Sequence, residues 1–86
     1  MNVVVVAGRT VHFTDHACER MRERKVTESD VCAVLESRGM VYPAKQGKVN
    51  IADRVAGRLI RVTVRETDTT CKIVTVVAPE EGEGTQ

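Results

Sequence analysis

Apolar residues recur in two rhythms along the chain, and the change between them near residue 39 organises the rest of the reading. Residues 3–7 form a short apolar run that reads as a strand. The Ala7-Gly8 pair suits a tight turn into a second strand over residues 9–13, one longer irregular strand being the other reading. A helix is then predicted over residues 14–24. Thr14 suits the N-cap and Asp15 the first turn, where a carboxylate is favoured by the helix dipole. At about 100° per residue, Ala17, Met21 and Cys18 make the buried stripe. His16, Arg20 and Arg24 follow one another at helical spacing along one flank of it, and Glu19 and Glu23 face solvent. Thr27, followed by Glu28 and Asp30, caps a second helix that runs to about Arg38 and stops at Gly39, a natural C′ residue. Its core face is Val31, Val34 and Leu35, with Cys32 beside them. The short Lys25-Val26 link makes the two helices a corner or hairpin.

Beyond Gly39 the period becomes alternating. Strands are predicted over residues 40–42, 48–55, 58–66 and 71–78. They are separated by Pro43, a Gln46-Gly47 turn, an Ala56-Gly57 turn and a turn over residues 67–70. The expected fold class is α+β, with two N-terminal helices packed on a three- to five-stranded antiparallel sheet. Residues 1–79 make the single domain, and residues 80–86 an acidic tail expected to be disordered.

Alternation sorts the strand residues by face. Val49, Ile51 and Val55, with Asp53 as the exception, share one side of their strand, and Ile60, Val62 and Val64 share one side of the next. These sets are expected under the helices. The opposite sets bring Lys48, Arg54, Arg61 and Arg65 onto one basic sheet face that carries no stacking aromatic residue. Residues 71–78 are apolar on both sides, so that strand is expected to be central or covered by a partner.

Composition sharpens this picture. The chain has 86 residues, one Tyr, one Phe and no Trp, so Val, Ile, Leu, Met and Ala must build a thin core. Formal net charge is +1, but residues 39–79 hold 7 bases and 3 acids, which places the positive field in the second half. No apolar run approaches the roughly 18 residues that span a membrane, and residues 3–7 are too short for a signal-peptide core. A cytosolic location is expected. Three widely spaced cysteines fit reduced thiols acting as apolar filler, with Cys71 the most exposed candidate. His12, His16 and Cys18 lack a metal-site spacing, and no cofactor is expected.

The run Phe13-Thr-Asp-His-Ala-Cys-Glu-Arg-Met-Arg-Glu-Arg24 carries a His-Ala-x-x-Arg-Met-x-x-Arg helix. Val26-Thr27 and a second helix follow it, and later a Gly57-Arg58 turn. In these features residues 11–78 resemble a bacterial domain-of-unknown-function family (DUF4258-like). That family is similar in layout to toxins of the RelE and ParE type. The resemblance implies a toxin-type ribonuclease or RNA-binding protein, with RNA as ligand and a cognate antitoxin-like protein as partner.

His16 is the candidate proton-transfer group for metal-independent phosphodiester cleavage, because imidazole is the side chain suited to that task near neutrality. Its alternative is a structural histidine bonded to nearby backbone. Arg20 and Arg61 join it as candidate catalytic residues that stabilise phosphate charge, and Arg24, Lys48, Arg54 and Arg65 are the candidate nucleic-acid-binding cations. Arg20 and Arg24 would otherwise pair with Glu36 or Asp53, and the basic face would otherwise be a solvated strand face. The second functional expectation is a non-catalytic interaction module, a homodimer or partner complex formed through residues 3–7 or 71–78 as exposed strands.

Overall fold

The computed structural model describes residues 4–79, and the expected acidic tail lies outside the described residues. The element order is β1 (Val4–Val6), β2 (Arg9–Phe13), α1 (Asp15–Arg24), α2 (Glu28–Ser37), β3 (Met40–Pro43), β4 (Val49–Val55), β5 (Arg58–Glu66) and β6 (Thr70–Val77). A short 3₁₀ turn over Lys45–Gly47 joins β3 to β4.

Local chemistry accounts for each helix. Thr14 accepts from the Ala17 N–H and starts α1. Thr27 and Asp30 form a reciprocal capping box at the start of α2. The end of α2 departs from expectation. Arg38, not Gly39, takes the left-handed conformation, with φ 46°. Gly39 is needed for space: a Cβ there would stand 2.6 Å from the Asp53 Cγ.

The helices lie as expected on one face of a sheet, but the sheet has six strands in the order β1-β2-β6-β5-β4-β3 and is mixed. This corrects the expected three to five antiparallel strands. The β1–β2 hairpin is real, and Ala7 and Gly8 turn it with φ values of 53° and 81°. β2 then pairs with β6 in parallel, Val11 opposite Cys71 and Phe13 opposite Ile73. β6 is therefore interior, and its apolar residues fall on both sides of a strict alternation because the phase shifts at Val74: Cys71, Ile73 and Val76 are buried, whereas Lys72 is exposed. This strand cannot serve as the exposed docking strand expected of residues 71–78; among the described residues the edge strands are β1 and β3.

The core sits between helices and sheet. Val31 and Val34 of α2 and Ile51, Ile60, Val62, Val64, Ile73 and Val76 of the sheet are fully buried, and Ala17 and Met21 seal the α1 end. Each such aliphatic side chain contributes about 1.5–3 kcal/mol. Cys71, expected to be the most exposed thiol, is 3% exposed because its register with Val11 turns it into this layer.

On the same side, Glu66 accepts two bonds from Arg38, at 2.9 and 3.2 Å, with Arg9 3.9 Å away. This ties the end of α2 to β5 and β2. No helix among the described residues is long and apolar enough to cross a membrane.

Candidate functional site

The uncovered face of the sheet gathers the chemistry. Val64 and Ile73 point into the core, so their neighbours Arg65 and Lys72 point outward, and the register sets them opposite each other. Lys72 also stands opposite His12 of β2. Lys48 precedes Val49, which pairs with Val64, and so flanks Arg65 on the other side. Cations thus face one another across adjacent strands, an arrangement that costs free energy unless an anion neutralises it. The helix-facing side of β5 differs: there Glu66 balances Arg9 and Arg38.

Two features fix this row. Arg65 Nη1 donates to the Gln46 carbonyl at 3.1 Å, and the left-handed Gln46 and Gly47, with φ 60° and 76°, present that carbonyl. Lys48 Nζ donates to Gln46 Oε1 at 3.5 Å. The second feature is a bulge. Thr63 pairs with Thr75 but Val64 pairs with Ile73, leaving Val74 as the extra residue. Thr14 Oγ1 donates to the Ile73 carbonyl at 2.8 Å and lies 3.4 Å from that of Val74. The same hydroxyl caps α1, so the start of α1 is pinned to the bulge.

That pin carries His16 to the row. Thr14, His16, Lys48, Arg65, Lys72 and Val74 line one open concavity of about 350 Å³, and none of its lining residues is acidic. His16 is exposed and forms the ridge to a second open concavity, about 390 Å³, lined with Asp15, Cys18, Glu19 and Arg22.

The structure thus brings together three of the expected residues, His16, Lys48 and Arg65. Lys72 is a fourth that the sequence reading passed over, although its alternation against Cys71 and Ile73 marks it.

The other expected residues lie elsewhere. Arg61 shares the outer face but sits four positions along β5 from Arg65, about 13 Å at a strand rise of about 3.3 Å. Its Nε is buried with no hydrogen-bond partner among the described residues. Arg54 is two positions along β4 from Ala52, which pairs with Arg61, and its Nη1 donates to the Gly57 carbonyl at 3.2 Å. Arg20 pairs with Glu23 at 3.1 Å, not with Glu36 or Asp53. Arg24 is half-buried, and its carbonyl accepts from Arg58 Nη2.

The face has an aromatic residue after all. Tyr42 pairs with Asn50, and Asn50 alternates against the core residues Val49 and Ile51, so the ring lies on the outer side. The expectation of a face without stacking aromatics treated residues 40–42 apart from the longer strands.

Two of the three thiols offer little chemistry. Burial, with Glu66 nearby, pushes the Cys71 thiol up to about 11. Burial and the carboxylates of Glu36 and Glu28 raise that of Cys32. Among the described residues, no group of three His, Cys, Asp or Glu side chains is placed to hold a metal.

No curated protein and no solved structure matches the chain. A family model does match, over residues 13–78, and this stretch holds both helices, strands β3 to β6 and every residue that lines the basic concavity. With most of its length matched, the chain belongs to the domain-of-unknown-function family DUF4258.

Proposed function

We propose that this domain binds RNA through its phosphates and cleaves it with His16 as the proton-transfer group. The observation that carries the proposal is the open concavity in which His16 meets Lys48, Arg65 and Lys72 with no carboxylate among the lining residues. Fixed cations on rigid strands suit a phosphate whose charge grows in the transition state. In the proposed step His16 takes the proton of a ribose 2′-hydroxyl as that oxygen attacks the adjacent phosphorus. The bond from phosphorus to the 5′ oxygen breaks, and the leaving oxygen takes a proton from solvent. A 2′,3′-cyclic phosphate and a 5′-hydroxyl result, with no metal required.

This is the activity implied by the resemblance to RelE- and ParE-type toxins, and a cognate antitoxin-like protein would be its partner. Arg20, paired with Glu23, is a weaker contributor in this scheme than Lys72. The test is cleavage of a labelled RNA by the purified protein in the presence of a chelator, beside His16→Ala and Lys72→Gln. Loss of cleavage with retained binding in His16→Ala supports the scheme. Unchanged cleavage in both variants, or no cleavage by the parent protein, removes the enzymatic part; no RNA binding removes the whole.

A second reading, a protein-interaction module, rests on the edge strand β3, where Met40, Val41 and Tyr42 are 53%, 47% and 39% exposed. A free strand edge with apolar side chains is a template for pairing with a second copy or a partner strand. Solution mass across a dilution series tests the homodimer, and a monomer at every concentration counts against it.

A further inference from the structure

On the outer face two groups of cations stand at opposite ends, with an uncharged belt between them. One end holds Lys48, Arg65 and Lys72, and the other holds Arg61 with Arg54 beside it. The belt is a row across four strands: Tyr42 opposite Asn50, Asn50 opposite Thr63, and Thr63 opposite Thr75. Thr63 Oγ1 donates to Asn50 Oδ1 at 2.7 Å, which holds the middle of the row in place.

From this juxtaposition, and resting on the RNA reading above, we infer that the ligand is single-stranded, runs from one cation group to the other across this belt, and stacks a base on Tyr42. An evenly charged stripe would track a continuous backbone. This face instead concentrates charge at two points about 13 Å apart. A stacked strand advances about 3.4 Å per phosphate, so about four phosphates span the gap, and fewer do so when the strand is extended. The phosphates between the two ends meet hydroxyl and amide groups, and the bases of that stretch need a surface.

Of Tyr, Phe and Trp, Tyr42 alone lies on the face, since Phe13 packs against the core. Tyr42 is 39% exposed, at the edge of the sheet where a base has room to lie flat. Bases of a single strand can be splayed onto such a ring, whereas those of a duplex are already stacked and paired. Arg61 is the anchor for the far phosphate, because it shares the outer face with Arg65 and stands on the other side of the belt from it.

The test uses the whole chain with an oligouridine and a duplex RNA of matched phosphate number. Tyr42→Ala is expected to weaken the single strand about tenfold while Tyr42→Phe retains it, as stacking predicts, and neither changes duplex affinity. Arg61→Gln is expected to weaken long oligouridines and leave the shortest ones unchanged. With one Tyr and no Trp in the chain, intrinsic emission reports Tyr42 alone, and the single strand is expected to quench it. If Tyr42→Ala leaves single-strand affinity unchanged, or weakens duplex equally, the inference falls while the RNA reading stands. If the parent protein binds neither RNA, both fall. Tyr42 lies at an exposed edge, and circular dichroism of each variant separates lost binding from lost fold.

Discussion

Asp53 fills the space beside Gly39. Its Cγ stands 2.6 Å from where a Cβ on residue 39 would be, and its two carboxylate oxygens 2.8 and 2.9 Å away. The same carboxylate accepts the Arg54 N–H at 2.7 Å. The Ser37 hydroxyl and that N–H hold it below the usual carboxylate range. Gly39→Ala is therefore expected to push Asp53 away from the Arg54 N–H and cost about 1 kcal/mol, the low end for forcing atoms into occupied space. Urea denaturation measures it. The cost should shrink when Asp53→Ala is made as well, because the clash partner is then gone.

Two hairpins turn on alanine in the left-handed region, Ala7 at φ 53° and Ala56 at φ 54°, each followed by a glycine at φ 81°. Alanine is strained there, whereas asparagine is the favoured first residue of this turn. Ala56→Asn is expected to stabilise the domain by about 0.5–1 kcal/mol, read as a rise in thermal midpoint. An unchanged or lowered midpoint would mean that the strain is relieved in some other way.

These turns show why much of the fold is legible in the sequence. An Ala-Gly pair between alternating runs, a Thr before an acidic first turn, and Val-x-Val alternation through residues 60–64 are local signals, and each element they predict is present. The parallel pairing of β2 with β6 is not local. It joins Thr14 to Ile73 across 59 positions, and no nearby residue encodes it. The bulge at Val74 carries no Gly or Pro to mark it, yet it seats the start of α1 against the outer row. Hence His16 was readable as a candidate, but its company of Lys48, Arg65 and Lys72 was not. Tyr42 was hidden for the same reason, since its face is fixed only by its register with Asn50.

Arg58 shows a different kind of omission, a charge whose work is structural. Its Nη1 donates to the Lys25 carbonyl at 2.8 Å and its Nη2 to the Arg24 carbonyl, closing the C-terminal end of α1. The Gly57-Arg58 turn delivers the guanidinium there. Arg58→Ala leaves those carbonyls to water and is expected to cost about 1–2 kcal/mol, near the low end for hydrogen bonds to a charged group. Amide exchange should quicken first in the last turn of α1. Uniform quickening across the domain would contradict a local capping role.

Glu66 links stability to pH. The Arg38 guanidinium that donates to it holds its carboxyl below the ordinary value of 4.5, with burial opposing and Arg9 assisting. A carboxyl depressed in the folded state binds its proton more weakly there than in the unfolded chain. Its contribution is complete above the unfolded value and is lost as pH falls through the folded one. Stability is thus expected to decline as pH drops from about 4.5. Glu66→Gln should flatten that decline and cost about 1 kcal/mol at neutral pH, a modest figure because Arg38 is partly in water. Asp53 is also depressed, so some acid sensitivity persists in the variant. Denaturation midpoints measured from neutral pH downward decide it, and a variant with an equally steep decline would remove Glu66 from the account.

The row of Lys48, Arg65 and Lys72 makes the RNA reading quantitative. Each cation that meets a phosphate releases counterions, so affinity falls with salt at a slope of about 0.7 per contact for a single strand. Lys72 lines the concavity, faces His12 and Arg65 across its strand, and is exposed, so its removal should not disturb packing. Lys72→Gln is expected to lower RNA affinity at every salt concentration and to reduce the slope by about 0.7. Lys25 is a control: it is exposed at the far end of α1 and does not line the concavity. Lys25→Gln should leave the slope unchanged. Equal slopes for the parent and Lys72→Gln would place the phosphate elsewhere on the surface, and an equal loss from Lys25→Gln would reduce the interaction to net charge. A loss confined to Lys72→Gln assigns the contact to the concavity that His16 overlooks.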